Sequence, residues 1–125
     1  MSVVEHYEHV EDAVVDLAPG IVRQRLVIEG TCSRAIGDTQ IRRYLRELSR
    51  VCEMHVLLDP VTHRSDRYGW AGWIHWETSG AHFYAWEDPL FFSVDIYTCK
   101  PFDVGLAVGF TQRFFGASAI VSKSF

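Results

Sequence analysis

The chain has 125 residues, enough for one domain with its own core and too few for two. Its net charge is −4 with no basic stripe, which argues against a nucleic-acid partner. No apolar run approaches the ~20 residues of a membrane helix. The three cysteines, Cys32, Cys52 and Cys99, lack C-x-x-C spacing, which points to free thiols in a reducing cytoplasm and away from a disulfide scaffold or zinc site.

Residues 1–20 read as an acidic leader, flexible or a short helix, ending on Pro19-Gly20. Residues 21–125 read as the domain. "IVRQRLVIEG" is β-branched and bounded by turn residues, so it predicts a strand. "DTQIRRYLRELSRVC" predicts a helix with Ile41, Leu45, Leu48 and Cys52 on its buried face. Asp38 or Thr39 would cap it, and Arg42, Arg43, Arg46 and Arg50 would form its solvated side. "MHVLLDP" predicts a short strand stopped by Pro60, and "VTHRSDRYG" a polar loop.

"GWAGWIHW", "AHFYAW" and "FFSVDIYTC" predict three successive strands. Thr78-Ser79-Gly80 breaks the first from the second, and Glu87-Asp88-Pro89 the second from the third. "DVGLAVGFTQRFFG" predicts a second helix with Gly116 as its C-cap, and "AIVSKSF" a last strand. The order implies an α+β two-layer sandwich: an antiparallel-rich sheet with two helices on one face. The other sheet face then carries large aromatics, which suits a dimer burying sheet against sheet.

Several side chains invite chemical readings. Ser79 reads first as a turn residue. His82 and Tyr84 share one face of their strand, with Ala81, Phe83 and Ala85 on the other. They are a solvated polar row or a pocket able to move protons. Cys99 ends a strand beside a loop, a more exposed place than most free cysteines occupy. Asp95 lies in an apolar run and calls for a partner, with Arg64 or Arg67 the candidates. The six histidines show no metal-ligand spacing, so no metal site is expected.

From Thr62 to Cys99 the chain reads "THRSDRYGWAG", "WIHWE", "TSGAHFYAWEDPLFFSVDIYTC". It resembles, without a gap, the core of the prokaryotic S-adenosylmethionine decarboxylases, F-H-R-x-x-P-x-G-V-S-G, five residues, then E-S-H-L-x-I-H-T-W-P-E-x-x-x-A-x-x-D-x-F-T-C. His63-Arg64, Gly69, Gly72, Ser79, Trp86, Asp95 and Thr98-Cys99 fall in register. The likeness covers about residues 22–125.

The resemblance implies a proenzyme that cuts itself before Ser79 and turns that serine into a pyruvoyl group. Such a group is the electron sink for decarboxylation in polyamine biosynthesis. It implies Cys99 as proton donor, Asp88 at the position of the ribose-binding acid, Ser65 at that of an adenine-stacking aromatic, Ala81 at a further ligand contact, and Trp86 beside them.

The chain departs from the family pattern where processing is carried out. Thr78 replaces the glutamate before the serine, Tyr84 the processing histidine, Ala71 the processing serine, and Gly80 the histidine after the cut. Near neutral pH a phenol with a reference pKa of ~10 is a poor base. His82, roughly 7 Å away along the same strand face, is the alternative. The expected cofactor is therefore a pyruvoyl from Ser79 if the chain processes itself, and otherwise none.

Two functions follow. One is an enzyme on S-adenosylmethionine or a close sulfonium analogue, working as a pyruvoyl-free lyase if uncut, with Trp70, Trp73, Trp76 and Trp86 offering cation–π faces. The alternative is a non-catalytic S-adenosylmethionine-binding paralogue, or a regulatory subunit paired with an active decarboxylase. The partner is expected to be a second copy or a related chain.

Overall fold

The structure, a computed structural model, describes residues 15–125. Most of the acidic leader lies outside the described residues, and residues 15–23 carry no helix or strand. Six strands and two helices follow: β1 (Gln24–Thr31), α1 (Asp38–Val51), β2 (Val61–Ser65), β3 (Gly69–Trp76), β4 (Ser79–Glu87), β5 (Leu90–Thr98), α2 (Val104–Phe115) and β6 (Ile120–Ser124). All neighbours pair antiparallel in one sheet of order β2-β3-β4-β5-β1-β6. This is the α+β two-layer arrangement that the element order implied.

Alternation along the strands sets the two faces. Leu26, Ile28, Ile74, Trp76, Ala81, Phe83, Phe92, Val94 and Ile96 are buried toward the helices. Ile41, Leu45, Leu48 and Cys52 meet them from α1, as the helical spacing predicted. At Gly72, where β3 passes under α1, a Cβ would stand 2.8 Å from Ile41 Cγ2, so the missing side chain lets helix and sheet close.

Two buried hydroxyls relay hydrogen bonds, one from sheet to helix and one from helix to helix. Trp76 Nε1 donates to Ser49 Oγ at 2.7 Å, and Ser49 donates to the Leu45 carbonyl at 2.7 Å. Tyr44 meets Thr111 Oγ1 at 2.7 Å, and Thr111 donates to the Ala107 carbonyl. Every buried polar side-chain atom among the described residues has such a partner, as a dry core requires.

Three local expectations are corrected. The residues "MHVLLDP" form no strand: one isolated bridge joins Val56 to Trp76, and Leu57 and Leu58 stay exposed. The edge strand is instead Val61–Ser65, inside the expected polar loop, because it pairs residue for residue with β3. The α1 N-cap is Gly37, whose N–H donates to Gln40 Oε1 at 3.2 Å. The Asp38 carboxylate does not cap, since it accepts from Arg42 and Thr62. In α2, Asp103 caps the N-terminus by accepting from the Leu106 N–H, and Gly116 takes the left-handed C-cap conformation as expected.

The core has a titration consequence. Burial pushes the Cys52 thiol up from its ordinary 9.0 to about 12, and raises the Tyr44 phenol as well. Both groups stay neutral in the folded chain at pH values where the unfolded chain ionises them. Their contribution is complete below the unfolded values and is lost as pH rises toward the folded ones. Stability should fall by about 1.4 kcal/mol per pH unit for each titrating group above about pH 9. Thermal melts between about pH 8 and about pH 11 test this: Cys52→Ala should flatten part of the slope, and a midpoint unchanged over that range would contradict it.

Candidate functional site

The open sheet face is polar at its centre and aromatic at its ends. Reading across the strands, Trp73, His82 and Asp95 form one row, and Ala71, Tyr84 and Ser93 the next. Over β3 and β4 this face carries two clefts, each floored by a small residue. The larger, about 290 Å³, is lined by His75, Thr78, Ser79, Gly80, Ala81, His82, Asp95 and Tyr97. A Cβ on Gly80 would start 2.9 Å from the Ile74 carbonyl oxygen and 3.6 Å from His75 Cδ2, so glycine keeps this floor open. The smaller, about 190 Å³, lies over Ala71 and includes His63, Ser65, Tyr68, Tyr84 and Trp86.

β4 is held at both ends by two-residue connections. Trp76 pairs with Ser79 across Glu77-Thr78, and Glu87 with Leu90 across Asp88-Pro89, whose peptide bond is cis. Thr78 has φ +62°, a conformation that a β-branched residue adopts only under strain. Ser79 is therefore not part of the turn but the first residue of β4.

The expected site residues separate under this geometry. Ser79 and Cys99 come together, with the Cys99 N–H donating to Ser79 Oγ at 3.0 Å. Cys99 Sγ lies 4.0 Å from the Tyr97 hydroxyl, a contact that raises the phenol's pKa. His82 lines the Gly80 cleft while Tyr84 lines the Ala71 cleft, and their ring centroids are 6.5 Å apart. Ser65 and Trp86 join Tyr84 in the smaller cleft. Ala81 is 2% exposed in the helix-side core, so only its backbone borders the larger cleft. Asp88 sits exposed in the β4–β5 turn, roughly 30 Å along the strand from Ser79.

Asp95 is not paired with Arg64 or Arg67. It faces the open side, and Arg25 from β1 donates to both its oxygens, Nε to Oδ1 at 3.0 Å and Nη2 to Oδ2 at 2.8 Å. Arg64 binds Glu87 on the helix side at 2.8 Å, and Arg67 lies over the Tyr68 ring. Of the four tryptophans, Trp76 is core and Trp70 packs against it, leaving Trp73 and Trp86 on the open face. Trp73 stands 4.3 Å from His75, and Trp86 stacks on Phe91 at 5.8 Å. His75, Tyr97 and Arg25 were not among the expected site residues. The even spacing of Trp73 and His75 was a signal for the first, but nothing local marked Arg25.

Residues 28–125, most of the chain, match the family model for S-adenosylmethionine decarboxylase. The chain belongs to the S-adenosylmethionine decarboxylase family. Among solved structures it is similar to the adenosylmethionine decarboxylase from Aquifex aeolicus VF5, with a TM-score of 0.69 and 13% identity, covering 84% of this chain and 89% of that one. At that identity the likeness is one of fold. No curated protein matches the sequence.

The family uses a pyruvoyl group made by self-processing, and the residues around Ser79 do not fit its formation. The Ser79 hydroxyl is engaged by the Cys99 N–H. Alternation sends the Ser79 side chain to the helix-side set with Ala81 and Phe83, and His82 and Tyr84 to the other. Ala71 contributes no hydroxyl. The family's serine and processing histidine stand at the positions of Ser79 and Tyr84, so the misfit lies in the residue types: Tyr84 in place of an imidazole, Ala71 in place of a serine and Thr78 in place of a glutamate. No group of three or more His, Cys, Asp or Glu side chains among the described residues is placed to hold a metal ion, and no described helix is long and apolar enough to cross a membrane.

Proposed function

We propose that this family member binds S-adenosylmethionine, or a close sulfonium analogue, in the cleft over Gly80 and acts on it as a lyase without a pyruvoyl group. The observation that carries this reading is the placement of His82 in that cleft, directly across from Asp95, while Ser79 is turned to Cys99. A sulfonium is already a good leaving group, so the protein needs to hold it and supply a base. His82 takes a proton from the carbon next to the one bonded to sulfur. Those electrons form the new C=C bond, the C–S bond breaks, and a neutral thioether leaves with its electron pair. Trp73, His75 and Tyr97 offer ring faces to the cation before it is discharged. Three free thiols support a cytoplasmic setting.

Asp88 takes part in this reading only from a second copy, since its own strand carries it away from the cleft. Two sheets packed open face to open face with strands reversed would bring the partner's turn to Ser79, and the aromatic ends of the face suit such burial.

The replacement of the processing groups by Ala71, Thr78 and Tyr84 also favours a second reading, a non-catalytic S-adenosylmethionine-binding paralogue or regulatory subunit. Two measurements divide these readings. Intact mass of the purified protein should give one unsplit chain, and Ser79→Ala should leave the chain unsplit and its ligand binding unchanged. Incubating that chain with S-adenosylmethionine should then release a thioether. Cleavage between Thr78 and Ser79 would overturn the pyruvoyl-free mechanism, and ligand bound but unchanged would select the binding protein.

A further inference from the structure

Arg25 and Asp95 would ordinarily count as a cross-strand ion pair on a sheet surface, worth up to ~1 kcal/mol. Their position gives them more to do. Asp95 lines the Gly80 cleft beside His82 and Tyr97, and Arg25 stands directly across from Tyr97 in the register of β1 and β5. The Arg25 guanidinium is held twice: by both oxygens of Asp95, and over the Phe125 ring at 5.2 Å from its centroid. Its side chain is 50% exposed and that of Asp95 32%, so both reach solvent.

The pair is unsaturated. A guanidinium carries five N–H donors and Asp95 takes two of them, leaving about three free. A carboxylate accepts at about four lone-pair sites, of which Arg25 fills two. Among the described residues, unused acceptors on the wall of the cleft and unused donors beside it therefore stand side by side, already oriented. That pattern is the complement of an α-amino acid zwitterion, with a carboxylate for the guanidinium and an ammonium for the carboxylate. The ion pair need not break to receive it.

We infer that Arg25 and Asp95 form a recognition site for the α-amino-acid end of the ligand, Arg25 taking its carboxylate and Asp95 its ammonium. The inference rests on the proposed function only in naming a sulfonium compound as the rest of that ligand. It also bears on which bond breaks. A carboxylate held by a guanidinium is stabilised in the ground state, and that stabilisation fades as its charge leaves with CO₂. The site thus favours chemistry at sulfur with the carboxylate kept.

The test is titration calorimetry of the full chain with S-adenosylmethionine and with the same compound lacking its α-carboxylate. The intact amino acid should bind at least about tenfold more tightly. Arg25→Gln should bring the two affinities within about twofold by weakening only the first. Equal affinities in the native chain, or a preference that survives Arg25→Gln, would overturn the inference. Should Arg25→Gln fail to fold, Arg25→Lys keeps the charge without the planar fork, and an undiminished preference there has the same force. If neither sulfonium compound binds, L-methionine and 3-(methylthio)propylamine decide. Methionine binding that is lost in Arg25→Gln upholds the amino-acid site and removes the sulfonium reading, whereas absence of methionine binding overturns both.

Discussion

Phe83→Ala is expected to remove about 3–5 kcal/mol of stability, a large share of the roughly 5–15 kcal/mol a domain typically has. Phe83 is fully buried at the centre of the sheet. Its ring stacks on Phe92 at 5.6 Å and lies 5.2 Å from Phe115 and 5.3 Å from Tyr44. Tyr44 in turn touches Phe110 and Phe114, so one ring joins the sheet to both helices. Rigid rings collapse poorly into a vacated space, which adds a cavity cost to the lost transfer energy. Denaturant unfolding should show a lower midpoint with an unchanged slope. A loss below about 1 kcal/mol would mean that the cluster repacks and that no single ring organises it.

His82→Ala should lower thioether release from S-adenosylmethionine by roughly 10²–10⁴-fold, the usual worth of a general base. The residue is exposed on the open face, so the unfolding midpoint should hardly move. Tyr84→Phe is the contrast. Tyr84 belongs to the smaller cleft and should affect turnover far less. An equal loss from the two substitutions would place the base elsewhere, and no loss from His82→Ala would end its role. A pH–rate profile that loses its acidic limb in the variant would tie the effect to the imidazole itself.

Much of the fold was legible from local pattern because the physics there is local. The face of α1 follows from its spacing, the Gly116 cap from the left-handed conformation it adopts, and the face assignment of His82 and Phe83 from strand alternation. The misreadings share one cause, pairing that no short window contains. "MHVLLDP" is the more strand-like string, yet "VTHRS" becomes β2 because it meets β3 across a tight hairpin. An edge strand needs little apolar character, and polar residues at an edge resist unwanted association. The partner of Asp95 lies seventy positions earlier in the chain and became visible only when β1 settled beside β5. The grouping of the candidate site residues was likewise invisible to any short window. Family register named Ser79, Tyr84 and Asp88, and strand parity added His82, while the sheet distributes the four over two sides and two ends.

The two-residue connections flanking β4 make the domain tolerant of lengthening and intolerant of shortening there. An inserted residue at Glu77-Thr78 or Asp88-Pro89 can bulge into solvent. A deletion has no slack to draw on, since two residues is already the shortest common hairpin loop. Removing Thr78 would force β4 to slide by one position against β3. That slide would send Phe83 into water and His82 beneath the helices in a single step. Substitutions along β4 can therefore exchange one chemistry for another, while the strand's length is held by the core behind it.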